Sequence, residues 1–336
     1  MLFNSFAFIF IFLPVVLVGF HVVARRRSWA MAWLVAASLV FYGWWDWRYL
    51  FLLAGSAVFN FALGTLLTGW HERRRAPVKR HTLLWLGIAA NLGCLGYFKY
   101  AGFISENLAA LFNTEWDAVT ILLPLAISFF TFQQIAYLVD CHDGRTHGDD
   151  ALSYTLFVCF FPQLIAGPIV HYQEMMPQFG RGTRWGLTAR NLAVGGSIFC
   201  IGLFKKVVIA DGIAVHATPM FAAAANGVTP SLIEAWAGVL SYTFQLYFDF
   251  SGYSDMAIGL ARLLGIRLPE NFRSPYKAAS IIEFWRCWHM TLSRFLRDYV
   301  YVPLGGNRNG GLHRHRNILI TMLLGGVWHG AGWTFV

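Results

Sequence analysis

Residues 49–68 read YLFLLAGSAVFNFALGTLLT, a run of 20 residues without a charged side chain. A helix of about 20 apolar residues spans the hydrocarbon core of a membrane. Further apolar segments occur on both sides of this run. We place them at residues 1–24, 29–42, 82–98, 119–139, 152–170, 191–210, 232–248 and 317–328. The pattern predicts an all-α, polytopic transmembrane protein.

The composition points to the same fold class. Hydrophobic residues make up 57% of the 336-residue chain and charged residues 13%, whereas about a quarter of an average soluble protein is charged. So few charges exclude a soluble globular protein, and the high apolar content excludes a disordered chain. The five cysteines are scattered and form no CxxC pair, which excludes a disulfide-stapled scaffold. We predict one multi-pass membrane domain over residues 1–336.

The net charge of +9 comes from Lys and Arg residues in short loops beside the apolar segments. This placement is typical of the positive-inside rule, so we do not expect nucleic acid as a partner. Segment 1–24 has no Lys or Arg before it and Arg25, Arg26 and Arg27 after it, and the loop 71–81 is also basic. We expect the amino terminus outside the cytoplasm, both loops in the cytoplasm, and no cleaved signal peptide.

Some apolar segments are interrupted, for example at Pro124 and in the run FPQLIAGP at 161–168. In lipid, broken helices must be buried against protein or line a cavity, which favours an internal site. From Arg262 onward, basic residues accumulate, and we expect this stretch to face the cytoplasm. Its apolar residues between Ile281 and Val300 follow a helical period and predict a helix in the inner leaflet.

Two histidines stand out, His329 at the end of an apolar segment and His289 in the sequence FWRCWHMTLS. Ionisable residues at membrane depth are costly and mark function by default, although each ring could simply pack against a carbonyl group. A histidine pair in apolar surroundings could hold haem, relay protons or act as a general base. Zinc is disfavoured because no third ligand stands at suitable spacing, so we predict no metal site.

The stretch 242–260 places Asp249, Ser251, Ser254 and Asp255 between apolar runs, with Gly252 among them. This pattern predicts a broken helix or a polar turn within the membrane. Carboxylates at that depth need partners, and the Arg-rich stretch that follows could supply them. A buried ion pair that sets helix register and a catalytic role both remain open. No GxSxG, Walker A, GxGxxG or HExxH motif occurs, which argues against the commonest hydrolase, nucleotide-binding and metalloprotease sites.

Several motifs resemble one family in order and spacing. They are LYFDFSGYSDMA at 246–257, PENF at 269–272, EFWRCWH at 283–289, LRDY at 296–299, PLGGNR at 303–308 and LGGVWHG at 324–330, with GYFKY at 96–100 and the FP…AGPI run at 161–169 upstream. Together they resemble the membrane-bound O-acyltransferase family in its bacterial alginate O-acetyltransferase branch.

The resemblance implies a ring of transmembrane helices with broken or re-entrant segments and a tunnel that meets both faces near a catalytic histidine. His329 matches that histidine, and His289 matches its upstream partner. Members of this branch pass an acetyl group from a cytoplasmic donor, acetyl-CoA, outward for O-acetylation of an exopolysaccharide such as alginate. We therefore expect the bacterial inner membrane, periplasmic polysaccharide acetylation proteins and a polysaccharide acceptor as partners, and no bound cofactor.

Around the two histidines we expect a set of substrate-binding or supporting residues, in which the arginines attract the anionic CoA to the cytoplasmic mouth. These residues are Asp249, Ser251, Asp255, Arg286, Arg297, Asp298, Asn307 and Arg308.

The chain departs from the family pattern in two ways. It ends at Val336, where relatives usually continue through further helices, so we expect a protein truncated at the carboxyl terminus. Cys287 stands where relatives usually have a basic residue. Alternatives are acetyl or D-alanyl transfer to peptidoglycan, cellulose or teichoic acid, or a non-enzymatic transporter or scaffold in polysaccharide export. The run LGGNR at 304–308 favours the alginate-like branch over the D-alanyl one.

Overall fold

The computed structural model describes residues 1–72, 77–114, 121–146, 150–180, 188–308 and 310–335. Within these ranges every regular element is a helix, so the all-α part of the predicted fold class is confirmed. The principal helices are α1 (Leu13–Val23), α2 (Arg27–Gly43), α3 (Tyr49–Glu72), α4 (Pro77–Phe112), α5 (Ile127–His142), α6 (Ala151–Cys159), α7 (Phe161–Leu164), α8 (Tyr172–Met175), α9 (Ala189–Phe204), α10 (Asp211–Ala225), α11 (Leu232–Leu263), α12 (Ile281–Cys287), α13 (Met290–Leu296) and α14 (Gly310–His329).

The helices form two compact units that are interleaved along the sequence. The first unit comprises Met1–Trp33, Ala166–Pro168 and Gly180–Met290, and the second comprises Leu34–Ile165, Ile169–Phe179 and Thr291–Val336. The prediction of one domain over residues 1–336 concerns the whole chain and stays a prediction.

In the first unit, α9 packs along α11 through glycines. A Cβ atom added at Gly252 would lie 2.8 Å from the carbonyl oxygen of Gly202, and one added at Gly259 would lie 2.7 Å from that of Gly195. Small residues that allow two backbones to approach this closely are typical of helix pairs in membranes, where packing rather than the hydrophobic effect drives association.

In the second unit, buried amides join α3, α4 and α5. Asn60 and Asn91 exchange two hydrogen bonds, of 3.0 and 2.6 Å. Gln134 of α5 accepts from Ser56 at 2.8 Å and from Asn60. Since apolar surroundings offer no water to these groups, their partners must come from neighbouring helices. The network therefore sets the register of the three helices.

Two helices are long and apolar enough to cross a membrane among the described residues. They cover Tyr49–Gly69 of α3 and Lys79–Phe112 of α4, and Phe8–Val23 is a shorter apolar helix. Large apolar side chains are exposed along them, for example Phe51 and Leu86. Because only α3 and α4 pass this test among the described residues, the polytopic topology remains a prediction for the other segments.

The structure confirms one predicted interruption and corrects two other expectations. The segment 152–170 breaks at Phe160 between α6 and α7. In contrast, α11 runs unbroken through 242–260, so the predicted break there is wrong. Gly252 serves a close helix contact instead of a turn. The prediction of a single helix between Ile281 and Val300 is also wrong, because the helix is interrupted at His289, whose φ is +42°.

We expect Gly252→Ala to destabilise the protein by about 1–3 kcal/mol, because the new methyl group would collide with the backbone of α9. The control is Gly196→Ala in α9, where a Cβ atom would meet nothing within 4 Å. That change should be neutral or stabilise by up to about 1 kcal/mol, since Ala favours helix over Gly. Thermal unfolding in detergent measures both, and equal stability of the two variants would contradict the close contact.

Candidate active site

His329 is the last residue of α14 and its side chain is exposed. Its Nδ1 atom lies 2.7 Å from the carbonyl oxygen of Gly325. A carbonyl oxygen can only accept a hydrogen bond, so Nδ1 must carry the proton. In the neutral ring, Nε2 is then the atom with a free lone pair, and it can take a proton from a ligand.

The turn that carries His329 is anchored by Trp328. The indole is buried and stacks on Phe132 of α5 at 5.1 Å between ring centroids, with Phe129 edge-on at 5.7 Å. Phe132 in turn stacks on Phe295 at 4.5 Å. These rings belong to the core of the second unit, together with Ala136, Ile169 and Leu292. The histidine therefore projects from a rigidly packed helix end.

Two consecutive residues of α4 also bind this helix end. The Lys99 ammonium donates to the carbonyl oxygen of Trp328, and the Tyr100 hydroxyl donates to that of Val327. Lys99 Nζ also lies 3.4 Å from the Ser128 hydroxyl and 5.7 Å from the centroid of the Trp328 ring. The last four carbonyl groups of a helix have no donor within the helix, and here side chains of α4 supply one to two of them.

His289 lies in the first unit, and its surroundings differ from those of His329. It is buried, and its backbone is in the left-handed region, which costs about 1–3 kcal/mol for a residue other than Gly. Its Nδ1 atom lies 3.0 Å from Oδ1 of Asn271. Asn271 donates to Ser254 at 3.0 Å, and its own carbonyl oxygen accepts from the Met290 amide at 2.8 Å. These bonds hold the strained segment in place.

Asp249 and Asp255 of α11 are paired, but with different partners than expected. Lys206 Nζ lies 2.7 Å from Asp249 and 2.6 Å from Asp211, and Lys205 Nζ lies 2.6 Å from Asp255. The prediction that the downstream arginines supply these partners is therefore wrong. The lysines stand in the π-helical turn Lys205–Ala210 that follows α9, where the close packing on α11 brings them to the carboxylates.

The other predicted supporting residues are more scattered. In the first unit, the Ser251 hydroxyl is buried and lacks a hydrogen-bond partner in the described part of the chain, and Arg286 is exposed on α12. In the second unit, Arg297 binds its neighbour Asp298 at 2.7 Å. Asn307 accepts from the Tyr301 hydroxyl, and Arg308 is exposed.

A polar cluster in the second unit joins the end of α5 to the residues that follow α7 and α13. Asp140 is buried and accepts from the Tyr299 hydroxyl at 3.1 Å and from Arg145 at 3.3 Å. The Tyr299 hydroxyl lies 3.4 Å from His171 Nδ1. Burial raises the pKa of the Asp140 carboxyl to about 6, although the bonds from Tyr299 and Arg145 act against it. Burial also lowers the pKa of His171, and the nearby Arg294 acts in the same direction.

The sequence model of the family described as MBOAT, membrane-bound O-acyltransferase, matches residues 147–336 and includes both histidines. The chain belongs to this family. The resemblance stated above is therefore confirmed, and the protein is a membrane-bound O-acyltransferase rather than a transporter or scaffold.

Two of the relatives are similar over the whole chain, and a third is similar over part of it. The peptidoglycan O-acetyltransferase of Helicobacter pylori is 48% identical and aligns with 100% of this chain and 68% of its own length. The probable alginate O-acetylase AlgI of Pseudomonas putida is 44% identical, with the same two coverages. The teichoic acid D-alanyltransferase of Bacillus subtilis is 29% identical over 69% of this chain and 63% of its own length. The O-acyltransferase thus spans about two thirds of the length of these relatives.

The roles of the predicted site residues in this O-acyltransferase stay predictions. Lys99 and Tyr100 lie beyond the predicted apolar segment 82–98, whereas α4 continues to Phe112, so the sequence alone gives them no role. A lysine inside a long apolar helix would have been the signal. Asp140 and His171, which the sequence alone also leaves without a role, stand just beyond the predicted segments 119–139 and 152–170.

We expect Asp140 to make the stability of the O-acyltransferase depend on pH. An unfolded Asp ionises near pH 4, whereas the folded carboxyl ionises near pH 6, so the folded state loses stability as pH rises between these values. The loss should be on the order of 2 kcal/mol. Asp140→Asn should remove this dependence, measured as the thermal midpoint from pH 4 to pH 8. Asp143→Asn, at a neighbouring and more exposed carboxylate, should retain it. An unchanged pH dependence in Asp140→Asn would contradict the assignment.

Proposed function

We propose that the protein acetylates hydroxyl groups of a cell-envelope polysaccharide at the bacterial inner membrane, with acetyl-CoA as the cytoplasmic donor. Support comes from relatives named for acetyl transfer to peptidoglycan and to alginate, at 48% and 44% identity. The relative named for D-alanyl transfer is only 29% identical, which favours acetyl over D-alanyl as the transferred group.

The observation that carries the proposal is the hydrogen bond between His329 Nδ1 and the Gly325 carbonyl. It leaves Nε2 to act as the general base. The acceptor oxygen attacks the thioester carbonyl carbon while its proton passes to Nε2. The tetrahedral intermediate then breaks its carbon–sulfur bond, and the imidazolium returns the proton to the departing sulfur. The acetyl ester and free CoA are the products.

The other site residues would support this reaction. His289, held by Asn271, would position the donor or the acceptor. Arg286 and Arg308 are exposed and would attract the phosphates of CoA, because a guanidinium group binds phosphate through two parallel hydrogen bonds. Periplasmic polysaccharide acetylation proteins would act with the enzyme on the acceptor. CoA would enter and leave as a substrate, with no resident cofactor.

The proposal includes a multi-pass topology with a periplasmic amino terminus. A green fluorescent protein inserted after Arg27 should fluoresce, because the positive-inside rule places this basic turn in the cytoplasm. Alkaline phosphatase inserted in the corner between α2 and α3 should be active, since it folds only outside the cytoplasm. The reverse pattern at both sites would contradict the orientation.

We expect His329→Ala, introduced at the chromosomal locus, to lower O-acetylation of the polysaccharide by about 10²- to 10⁴-fold, the usual effect of losing a general base. The control is His216→Ala, which removes an exposed histidine of α10. Ester-linked acetate released from purified peptidoglycan and from secreted polysaccharide measures the activity and identifies the acceptor. Near wild-type acetylation at equal protein level in His329→Ala would overturn the assignment.

A further inference from the structure

The helix end that carries His329 is held from outside the helix. The last four carbonyl groups of a helix lack a donor within it, and those of Val327 and Trp328 are among them. Tyr100 and Lys99 donate to these two groups. The bond between His329 Nδ1 and the Gly325 carbonyl closes the same last turn. Fraying of this turn would therefore break the bond that determines which ring nitrogen carries the proton.

Lys99 differs from the other half-buried lysines in the described part of the chain. Lys205 and Lys206 are neutralised by carboxylates, whereas Lys99 forms no ion pair within the described ranges of the chain. Its partners are a carbonyl oxygen, the Ser128 hydroxyl and the Trp328 ring. A half-buried ammonium group in a candidate membrane span is costly. It lies at the carboxyl end of α14, where the helix dipole is negative and a positive charge is stabilising.

We propose that Lys99 is a positioning residue for His329, assisted by Tyr100. The ammonium and the hydroxyl hold the last turn of α14 closed, so that the Gly325 carbonyl keeps the proton on Nδ1 and leaves Nε2 as the base. This role rests on the function proposed above. A hydrogen bond from a charged donor is roughly twice as strong as one from a neutral donor, so loss of Lys99 should matter more than loss of Tyr100.

The kinetic test uses membrane vesicles that contain the protein together with its periplasmic partner proteins, with acetyl-CoA as the varied substrate and envelope polysaccharide as the acceptor. Lys99→Met should lower kcat by about 10²-fold, as displacement of a catalytic group by about 1 Å does, with the KM for acetyl-CoA unchanged. Tyr100→Phe should lower kcat less. Lys99→Arg keeps a charged donor and should recover much of the activity.

Two changes on the same helix serve as matched controls. Lys79→Met removes an exposed lysine, and Tyr97→Phe removes the hydroxyl of an exposed tyrosine. Both should leave kcat and KM at wild-type values. Wild-type kcat in Lys99→Met, or a loss carried by KM alone, would overturn the positioning role.

A spectroscopic measurement separates this role from general destabilisation and from the proposed function. Nitrogen-15 spectra of histidine-labelled protein, with His329→Ala as the reference for assignment, should show one neutral tautomer at His329, protonated at Nδ1. Lys99→Met should show a mixture of both tautomers, and Lys79→Met should not. An unchanged tautomer in Lys99→Met would refute the positioning role. If His329→Ala kept full activity while Lys99→Met changed the tautomer, the proposed function would be refuted. The contact between Lys99 and the end of α14 would still stand.

Discussion

A polar group on an apolar helix has no water to bind, so its partner must come from another part of the same chain. This constraint accounts for the contacts on which both units depend. In the first unit it pairs Lys205 with Asp255, and in the second it pairs Asn60 with Asn91. Each pair joins two helices at one register, because a shift by one residue would leave two polar groups unsatisfied.

The same constraint shapes the two candidate catalytic groups in different ways. His329 sits at a helix end, where backbone carbonyls are available, and it uses one of them to fix its tautomer. His289 is surrounded by aromatic rings, Phe250 and Phe272 among them, and binds a side-chain amide instead. The first arrangement leaves a ring nitrogen at an exposed position, as a base that meets a substrate requires. The arrangement at His289 suits a residue that holds the surrounding backbone in its strained conformation.

The helices and both histidines could be predicted from local sequence, because apolar run length and the cost of a buried charge are local properties. The pairing of charges could not. Lys205 and Asp255 are 50 positions apart, and Lys99 and Trp328 are 229 positions apart. For the same reason, the polar residues of 242–260 suggested a break, whereas a partner helix satisfies them and α11 continues. The left-handed backbone of His289 has no sequence signal of the kind that a glycine would give.

The length of α4 bears on where in the membrane the chemistry occurs. Lys99 lies about two thirds of the way along this helix, roughly 33 Å from its first residue at about 1.5 Å per residue. The hydrocarbon core is only about 30 Å thick. If the basic segment 71–81 faces the cytoplasm, as the proposed topology has it, the end of α14 that Lys99 binds lies toward the opposite face. The polymer could then stay outside the inner membrane, while the acetyl-bearing end of the donor would have to reach through most of the membrane thickness.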